Sequence, residues 1–379
     1  MADAEHLRRL DRARAALHGL ALGDALGMPL QELPLARATE LLAGHTGAVL
    51  LAGPPDHPFA AGLPAGRITD DTEQALLLAG LLVRHQGPPP AREWGQTLLD
   101  WQNAAIAGGV GDLLGPSTMA ALSALRNGVD PSLTGRRGTT NGAAMRIAAA
   151  GIAYPCKPLE SLEALVRAVV ACDRVTHDTT VAHAGAAAVA AAVSAGIGGA
   201  SVPEALALGA RAAALGELHG APVPGPRLAP RLRWVQRVFS GVSSDAEVGP
   251  AAAKAARGVL LERLVAKIGT SVAAVETVPV AFACGAAFPD DPLAAIWAAA
   301  TFGGDADTIA AITGAVVGSC SGMSALPQDL LEVIGNVNRA VFSATARTCA
   351  PQFDETTGDD PIDVVARALL ALRQPGSRS

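Results

Sequence analysis

Hydrophobic residues recur along most of the chain at the spacing of three and four positions that is typical of helices with one buried face. This pattern predicts twelve helices, over residues 5–22, 72–84, 91–102, 117–126, 159–172, 179–195, 203–215, 251–268, 271–284, 292–301, 308–320 and 326–344. Alternating Val, Ile and Tyr strands are almost absent, and no strand leads through a glycine-rich turn into a helix. The sequence therefore predicts an all-α fold.

Clusters of glycine and proline mark the loops between these helices. The main ones lie at 54–64, 87–90 and 220–230, and residues 352–361 form an acidic stretch. None of them separates halves of different composition, and there is no repeat of fixed period. We predict one compact helical domain over residues 1–350, followed over 351–379 by an acidic loop, a short helix and a tail.

The composition and charge of the chain argue against some classes of function. Of the 379 residues, 50% are hydrophobic but only 3% are aromatic, so small side chains build the core and its helices can approach closely. The formal net charge is −6, and no block of basic residues is present. Because phosphate binding needs clustered Lys and Arg, this argues against a partner nucleic acid bound through a basic patch.

The compartment can also be inferred. The apolar run at 181–200 is mostly alanine and glycine and contains His183, which predicts a buried helix and not a membrane span. The five cysteines are widely spaced without a C-x-x-C pair, which argues against a disulfide framework and for a reducing compartment. The charged N-terminus does not resemble a signal peptide. We therefore predict a soluble, cytoplasmic protein.

Two short segments place paired carboxylates and threonine hydroxyls directly before apolar helices. The first is Ile-Thr-Asp-Asp-Thr-Glu at 68–73, and the second is Gly-Gly-Asp-Ala-Asp-Thr at 303–308. Capping alone explains either segment taken singly, because acids and threonines are preferred at helix starts. A cap uses one side-chain oxygen, however, and the other carboxylates repel one another unless a cation intervenes. If the two starts face each other, they can hold two divalent ions such as Mg²⁺ or Mn²⁺.

Three further segments interrupt the apolar pattern. At 19–27, glycines four positions apart let another helix approach, and Asp24 is either a buried acceptor that orients the site or a ligand itself. The loop at 138–146, which includes Asn141 and Gly142, offers backbone N–H groups to an anion or is simply a turn. His177 is either a satisfied structural residue or a pocket residue that contacts a ribose or phosphate.

The segments G-D-A-L-G-M-P, T-D-D-T, N-G-A-A-M-R, T-H-D and G-G-D-A-D-T occur in this order over residues 17–322, and the ordered set resembles the ADP-ribosylglycohydrolase family. The resemblance implies orthogonally packed helices around a cleft with two Mg²⁺ or Mn²⁺ ions. It implies hydrolysis of the glycosidic bond between ADP-ribose and a modified side chain or small acceptor. The metal ligands that it implies are Thr69, Asp70, Asp71, Asp305, Asp307 and Thr308. The substrate would lie against Asn141, Gly142, Ala143 and Ala144 at its diphosphate and against His177 at its distal ribose or phosphate.

One position departs from the family pattern. Many members place a glutamate near the metals, two residues after the proline of G-D-A-L-G-x-P, where this chain has Gln31 followed by Glu32. A glutamine cannot act as a base, so either Glu32 reaches the site or an aspartate takes the proton of a water molecule, Asp70 or Asp305. We place Gln31 and Asp24 with the substrate-binding residues.

Several functions are consistent with these residues. The first is an ADP-ribosyl hydrolase whose partner is an ADP-ribosylated protein or a small ADP-ribosyl compound. The glutamine at position 31 raises the alternative of a smaller substrate, cleaved by an N-ribosyl hydrolase or nucleosidase, and also that of a catalytically silent ADP-ribose-binding protein. A dinuclear phosphohydrolase is a fourth interpretation.

Overall fold

A computed structural model describes residues 2–107, 114–240 and 249–373, and over these ranges it is a single helical domain without β-strands. The predicted all-α class is confirmed. The first nine helices are α1 (Ala2–Gly27), α2 (Leu35–Leu42), α3 (Asp70–His85), α4 (Ala91–Ala107), α5 (Pro116–Arg126), α6 (Gly142–Met145), α7 (Ala148–Ala153), α8 (Leu159–His177) and α9 (Thr180–Ile197). The next nine are α10 (Val202–Gly216), α11 (Leu228–Ser240), α12 (Pro250–Ile268), α13 (Ala274–Ala287), α14 (Pro292–Thr301), α15 (Ala306–Ser321), α16 (Gln328–Val337), α17 (Arg339–Cys349) and α18 (Pro361–Ala371).

Helix α1 packs along α15 through a stripe of glycines. A Cβ atom on Gly19 would lie 2.3 Å from the carbonyl oxygen of Gly314, and one on Gly23 would lie 2.0 Å from that of Ala310. Both distances are far below van der Waals contact, so only glycine permits this approach. The prediction that these glycines bring a second helix close is confirmed, and the contact sets the end of α1 beside the start of α15.

Helix α9 is the buried helix that the apolar run at 181–200 predicts. Over the described part of the chain it is the one helix long and apolar enough to cross a membrane, and 94% of it is buried inside the protein. It packs against α8, α10 and α15. Its alanine-rich surface therefore belongs to the core, as the sequence indicates.

The prediction of a single helix over 326–344 is wrong, because the chain breaks at Asn338 into α16 and α17. The buried Asn338 side chain donates to the carbonyl oxygens of Ile334 and Gly66, both at 2.8 Å. It also accepts hydrogen bonds from Arg67 Nη1 and from the backbone N–H of Ile68. These bonds give a partner to a carbonyl oxygen at the end of α16 and connect this helix end to the segment that leads into α3. A one-dimensional pattern does not contain this tertiary requirement.

The sequence pattern also missed α2 and the short helices α6 and α7, and its twelve helices do not include α11. The short helix expected after residue 350 is α18, whose Ile362, Val365 and Leu369 are fully buried in the common core. The proposed boundary at 350 remains a prediction, and the expected tail at 374–379 lies outside the described residues. All five cysteines are free, as their spacing indicates.

Candidate active site

The two acidic helix starts line one cavity. Asp70 and Asp71 open α3, and Asp305 and Asp307 stand at the start of α15. The cavity has a volume of about 140 Å³. Its wall consists of Gln31, Glu32, Phe59, Asp70, Asp71, Leu114, Gly115, Pro116, Thr118, Asn141, Gly142, Met145, Val272, Asp305, Asp307 and Thr308.

A buried aspartate of α1 fastens the start of α3. The Asp24 carboxylate accepts hydrogen bonds from the backbone N–H groups of Thr69 and Thr72, at 3.0 and 3.1 Å, and from both threonine hydroxyls. These bonds satisfy N–H groups that a helix start otherwise leaves without partners. Asp70 and Asp71 are therefore not needed as caps and face the cavity, where Asp71 Oδ1 is buried without a hydrogen-bond partner.

Loop contacts fasten the start of α15. The backbone N–H of Asp305 donates to the carbonyl oxygen of Thr270 at 2.8 Å, and the Asp305 carboxylate accepts a hydrogen bond from Asn141 Nδ2. Gly303 and Gly304 turn the chain here with φ angles of 71° and 63°, in the region that favours glycine. A Cβ on Gly304 would lie 2.3 Å from the Thr270 carbonyl oxygen. The backbone of the Gly-Gly-Asp segment therefore requires its second glycine.

The buried carboxylates strongly influence one another. Burial raises the pKa of Asp70, Asp71 and Asp307 well above the ordinary value, and the negative charges of neighbouring carboxylates raise it further. Burial also raises the pKa of Asp305 to about 6, although the hydrogen bond from Asn141 opposes this shift. Because charged carboxylates repel at short range in a buried site, their ionised forms are costly without a counter-ion.

The donor set fits hard divalent cations. The described residues of the cavity wall supply carboxylate, amide and hydroxyl oxygens, and no imidazole or thiolate is among them. Such donors suit Mg²⁺ and Mn²⁺, whereas imidazole and thiolate suit Zn²⁺. The Asp71 Oδ1 atom has no hydrogen-bond partner, and a bound cation would supply one for its lone pairs. The donor chemistry of the cavity therefore fits the divalent cations that the family resemblance implies.

The turn after α1 carries Gln31 and Glu32 to the cavity. The backbone N–H of Glu32 donates to the carbonyl oxygen of Gly304 at 2.7 Å. The exposed Glu32 carboxylate lies close enough to Asp305 to add to the rise in pKa that burial causes there. Gln31 is buried, and its Nε2 atom has no hydrogen-bond partner in the protein. Gln31 therefore brings an amide donor without a partner to the site, and Glu32 brings an exposed carboxylate, in contrast to the buried aspartates.

A family model described as ADP-ribosylglycohydrolase matches residues 5–362. The chain belongs to the ADP-ribosylglycohydrolase family. Family membership supports hydrolysis of ADP-ribose glycosidic bonds, and metal dependence is general in the family. The family identity, expected from five short motifs, is thus confirmed over nearly the whole chain.

The chain is also similar to individual proteins. The chain is 30% identical over 347 residues to the uncharacterised protein YegU of Escherichia coli K12, covering 90% of this chain and 97% of that protein. It is 36% identical over 153 residues to the ADP-ribosylarginine hydrolase Tri1 of Pseudomonas putida, covering 38% of this chain and 36% of that one. A solved structure titled ADP-ribosylglycohydrolase-related protein complex matches with a TM-score of 0.64 at 24% identity, over 97% of this chain and 99% of that chain, and shows the shared fold.

Some residues that the sequence analysis places with the substrate lie behind the cavity wall. Ala143 and Ala144 are buried, and Asp24 is enclosed by its bonds to α3. His177 is also fully buried, with its ring nitrogens 2.9 Å from the Thr140 hydroxyl and 2.7 Å from the Thr176 hydroxyl. Of the residues placed with the substrate, Asn141, Gly142 and Gln31 line the cavity, and substrate contact remains a prediction for the whole set.

His177 shapes the wall directly. A Cβ on Gly142 would lie 2.9 Å from His177 Cε1, so the glycine lets the loop pack on the imidazole ring. The loop is also joined to the start of α13, where the Asn141 backbone N–H donates to the carbonyl oxygen of Val272 at 2.9 Å. These contacts hold the Asn141 side chain in reach of Asp305.

Sequence analysis missed a buried polar relay behind Asp70. Gln74 Nε2 donates to Asp70 Oδ2 at 3.2 Å, and Gln74 Oε1 accepts from Arg146 Nη1 at 2.7 Å. Arg146 is fully buried, lies 5.2 Å from the centre of the Trp94 ring, and donates to the Thr176 hydroxyl. Because a guanidinium only donates, it orients the Gln74 amide so that its NH₂ group faces Asp70. The signal in the sequence is a single charged residue within the apolar stretch 142–153.

Proposed function

We propose that this chain hydrolyses the glycosidic bond between ADP-ribose and an acceptor, with two Mg²⁺ or Mn²⁺ ions bound between the starts of α3 and α15. The observation that carries this proposal is the convergence of two sequence-distant aspartate pairs on one cavity in a chain of this family. The proposed metal ligands are Thr69, Asp70, Asp71, Asp305, Asp307 and Thr308. Thr69 is included for its place in the family motif; its hydroxyl donates to Asp24 and accepts from the backbone N–H of Asp71.

Bound divalent ions would supply charge compensation for the aspartates and Lewis-acid activation at the sugar. The protein's own groups have separate tasks. Glycoside cleavage develops positive charge on the ribose ring, which nearby carboxylates stabilise. Glu32 is the proposed base that takes a proton from the attacking water, because its carboxylate is exposed at the cavity and fastens no helix start. Gln31 Nε2 is the proposed donor to the substrate.

The cavity volume bears on the substrate. A volume of about 140 Å³ is below the roughly 300–1,000 Å³ of pockets that enclose a drug-sized ligand. It accommodates the ribosyl group at the scissile bond, with the rest of an ADP-ribosyl substrate outside it. The same observation favours a second candidate, an N-ribosyl hydrolase acting on nucleosides. Release of free ADP-ribose from ADP-ribosylated arginine, compared with ribose release from a panel of nucleosides, distinguishes the two.

The metal assignment is tested with Asp70→Asn and Asp307→Asn. We expect both variants to lose Mn²⁺ binding in calorimetry and to lose turnover, while circular dichroism shows an unchanged helical fold. Asp329→Asn, at an exposed position of α16, is the matched control and should behave as wild type. Full activity of either cavity variant in Mg²⁺ or Mn²⁺ refutes the assignment.

The proposed base is tested separately with Glu32→Gln. We expect kcat to fall by about 100-fold or more, as for the loss of a general base, while Mn²⁺ affinity is retained. An unchanged kcat assigns the proton transfer to Asp70 or Asp305.

The wild-type protein distinguishes the remaining alternatives. If it binds ADP-ribose but releases no product with any divalent ion, the chain is a binding protein. Phosphate release without a ribosyl product indicates a phosphohydrolase.

We also propose that the enzyme acts in the cytoplasm. Five free cysteines, four of them buried, are compatible with a reducing environment. An ADP-ribosylated protein or a small ADP-ribosyl compound there would be its partner.

A further inference from the structure

A second cavity, with a volume of about 450 Å³, shares no lining residue with the aspartate cavity. His18 of α1 lines it together with Asp360 and Asp363, which lie at the start of α18. Over the described part of the chain, these three side chains form the one cluster in which three ligating atoms lie within 4.8 Å of one another. The sequence motifs and the proposed reaction use none of the three.

The distances from His18 to the two carboxylates are longer than those of ordinary hydrogen bonds. His18 Nε2 lies 3.4 Å from Asp363 Oδ1 and 3.7 Å from Asp360 Oδ2, beyond the usual range of about 2.7–3.2 Å. The histidine is 7% exposed, and its Nε2 atom is buried without a hydrogen-bond partner. Around a tetrahedral cation with bonds of about 2.0–2.2 Å, neighbouring ligand atoms lie about 3.4 Å apart. The 3.4 Å separation matches that geometry, and the 3.7 Å separation is somewhat longer.

Both carboxylates are held by other groups. Asp360 Oδ1 accepts from the backbone N–H of Ile362 at 2.8 Å, which leaves Oδ2 directed towards His18. Arg14 contacts both oxygens of Asp363, and each oxygen retains a further lone pair. Carboxylates that bind metals are commonly held in this way by outer hydrogen bonds.

The charge of the cavity favours a cation. Five carboxylates and two guanidinium groups line it, so carboxylates are in excess. The carboxylates belong to Glu332, Glu355, Asp359, Asp360 and Asp363, and the guanidinium groups to Arg14 and Arg339. The negative excess offsets the local charge of Arg14.

We propose that His18, Asp360 and Asp363 bind one divalent transition-metal ion, with Zn²⁺ the best match. The imidazole ligand separates this site from the all-oxygen aspartate cavity, because imidazole suits Zn²⁺ and does not suit Mg²⁺. Three protein ligands leave one position open to solvent in the cavity. The ion joins α1 to α18, and Asp24 follows His18 on α1 after about 9 Å of helix. Its role is to clamp the C-terminal helix onto the helix that supports the active site.

Calorimetry with Zn²⁺ in saturating Mg²⁺ tests the proposal, with Glu332→Gln, a lining residue outside the cluster, as the matched control. We expect wild type and Glu332→Gln to bind one equivalent of Zn²⁺. His18→Gln and Asp360→Asn should bind Zn²⁺ more than about 100-fold more weakly. The equivalent should persist in Asp307→Asn, which separates it from the aspartate cavity. Equal Zn²⁺ binding by wild type and His18→Gln overturns the proposal and leaves an ion-pair cluster only.

Cobalt provides a second measurement that does not depend on enzyme activity. We expect Co²⁺-loaded wild type to show a visible absorption band of a tetrahedral centre, which His18→Gln lacks. Zn²⁺ should also raise the Tm of wild type but not that of Asp360→Asn. Circular dichroism first establishes that each variant is folded, and identical spectra in all Co²⁺ samples contradict the site.

Discussion

The two acidic helix starts resemble each other in sequence but are held in place by different means. At α3, the buried carboxylate of Asp24 bonds the N–H and hydroxyl groups of two threonines. At α15, the Asp305 side chain makes no capping hydrogen bond. Close packing adds to the loop hydrogen bonds of that helix start, because a Cβ on Gly27 would lie 2.3 Å from the Cα of Asp307. A buried carboxylate therefore holds the start of α3, whereas loop hydrogen bonds and close glycine packing together hold the start of α15.

Helix α1 provides both supports. Asp24 reaches α3, while Gly19, Gly23 and Gly27 form the face that packs on α15. The relative position of the two aspartate pairs is therefore set by a single rigid element. Because the supports differ physically, substitutions should affect them differently, and the following predictions run from the largest expected effect to the smallest.

Replacing Gly23 with valine should have the largest effect. Its Cβ would meet the backbone carbonyl of Ala310 at 2.0 Å, and backbone cannot move aside as a side chain can. We expect a loss of about 3 kcal/mol or more of unfolding free energy, measured by urea denaturation.

Gly258→Ala is the matched control for that substitution. Gly258 lies within α12, where an added Cβ has nothing within 4 Å. We expect a gain of about 0.5–1 kcal/mol, because alanine is the better helix former. Equal stability of Gly23→Val and wild type contradicts the steric support of α15.

Asp24→Asn should have the next largest effect on the unfolding free energy. The amide NH₂ would face donors at the start of α3, which costs about 1–3 kcal/mol per unsatisfied group. Relief of repulsion with Asp70 and Asp71 offsets part of this cost. We expect a net loss of about 2 kcal/mol in chemical denaturation without metal, together with weaker Mn²⁺ binding.

Asn141→Ala measures the corresponding polar contact at α15. It removes the donor to Asp305 and Thr277, which should cost about 1 kcal/mol in the same denaturation experiment. A cost as large as that of Asp24→Asn contradicts the larger role of glycine packing at the start of α15.

Arg146→Lys tests the relay that orients Asp70. A lysine ammonium cannot reproduce the planar contacts with both Gln74 and Thr176, so the Gln74 amide loses its fixed orientation. We expect kcat to fall by about 10- to 100-fold, with KM nearly unchanged. A rise in KM alone, or full activity, is the result that contradicts a positioning role.

His177 gives the smallest and most selective effect, on the dependence of stability on pH. Burial, and then the charge of Arg146, holds the pKa of His177 well below its usual 6.5. The unfolded chain therefore takes up this proton first as pH falls. Its contribution is absent above pH 6.5 and costs up to about 1.4 kcal/mol per pH unit below it. We expect His177→Gln to reduce the acid sensitivity of unfolding.

His183 is the control with the opposite sign. Burial lowers the pKa of His183, but the carboxylates of Asp173 and Asp178 outweigh it and raise the pKa above 6.5. Its stabilisation is complete below pH 6.5 and is lost as pH rises through the folded pKa. A His183→Gln variant that changes the pH dependence of the unfolding free energy in the same direction as His177→Gln would contradict these assignments.

Much of the fold can be predicted from hydrophobic spacing, because each long helix carries its own buried face. The break at Asn338 and the relay through Gln74 and Arg146 could not be predicted in this way. Both depend on hydrogen bonds between residues far apart in the sequence, including Asn338 with Gly66 and Arg146 with Gln74. Local periodicity does not contain such pairs.

The sequence by itself determined the helical class, the family motifs, the two acidic helix starts and the glycine stripe, because these are local patterns of residue type. Only the tertiary structure decided that both starts line one cavity, that His177 lies behind its wall, and that His18 meets Asp360 and Asp363. The physical reason is that a pattern fixes which face of a helix is buried, whereas the packing of distant helices fixes what that face meets.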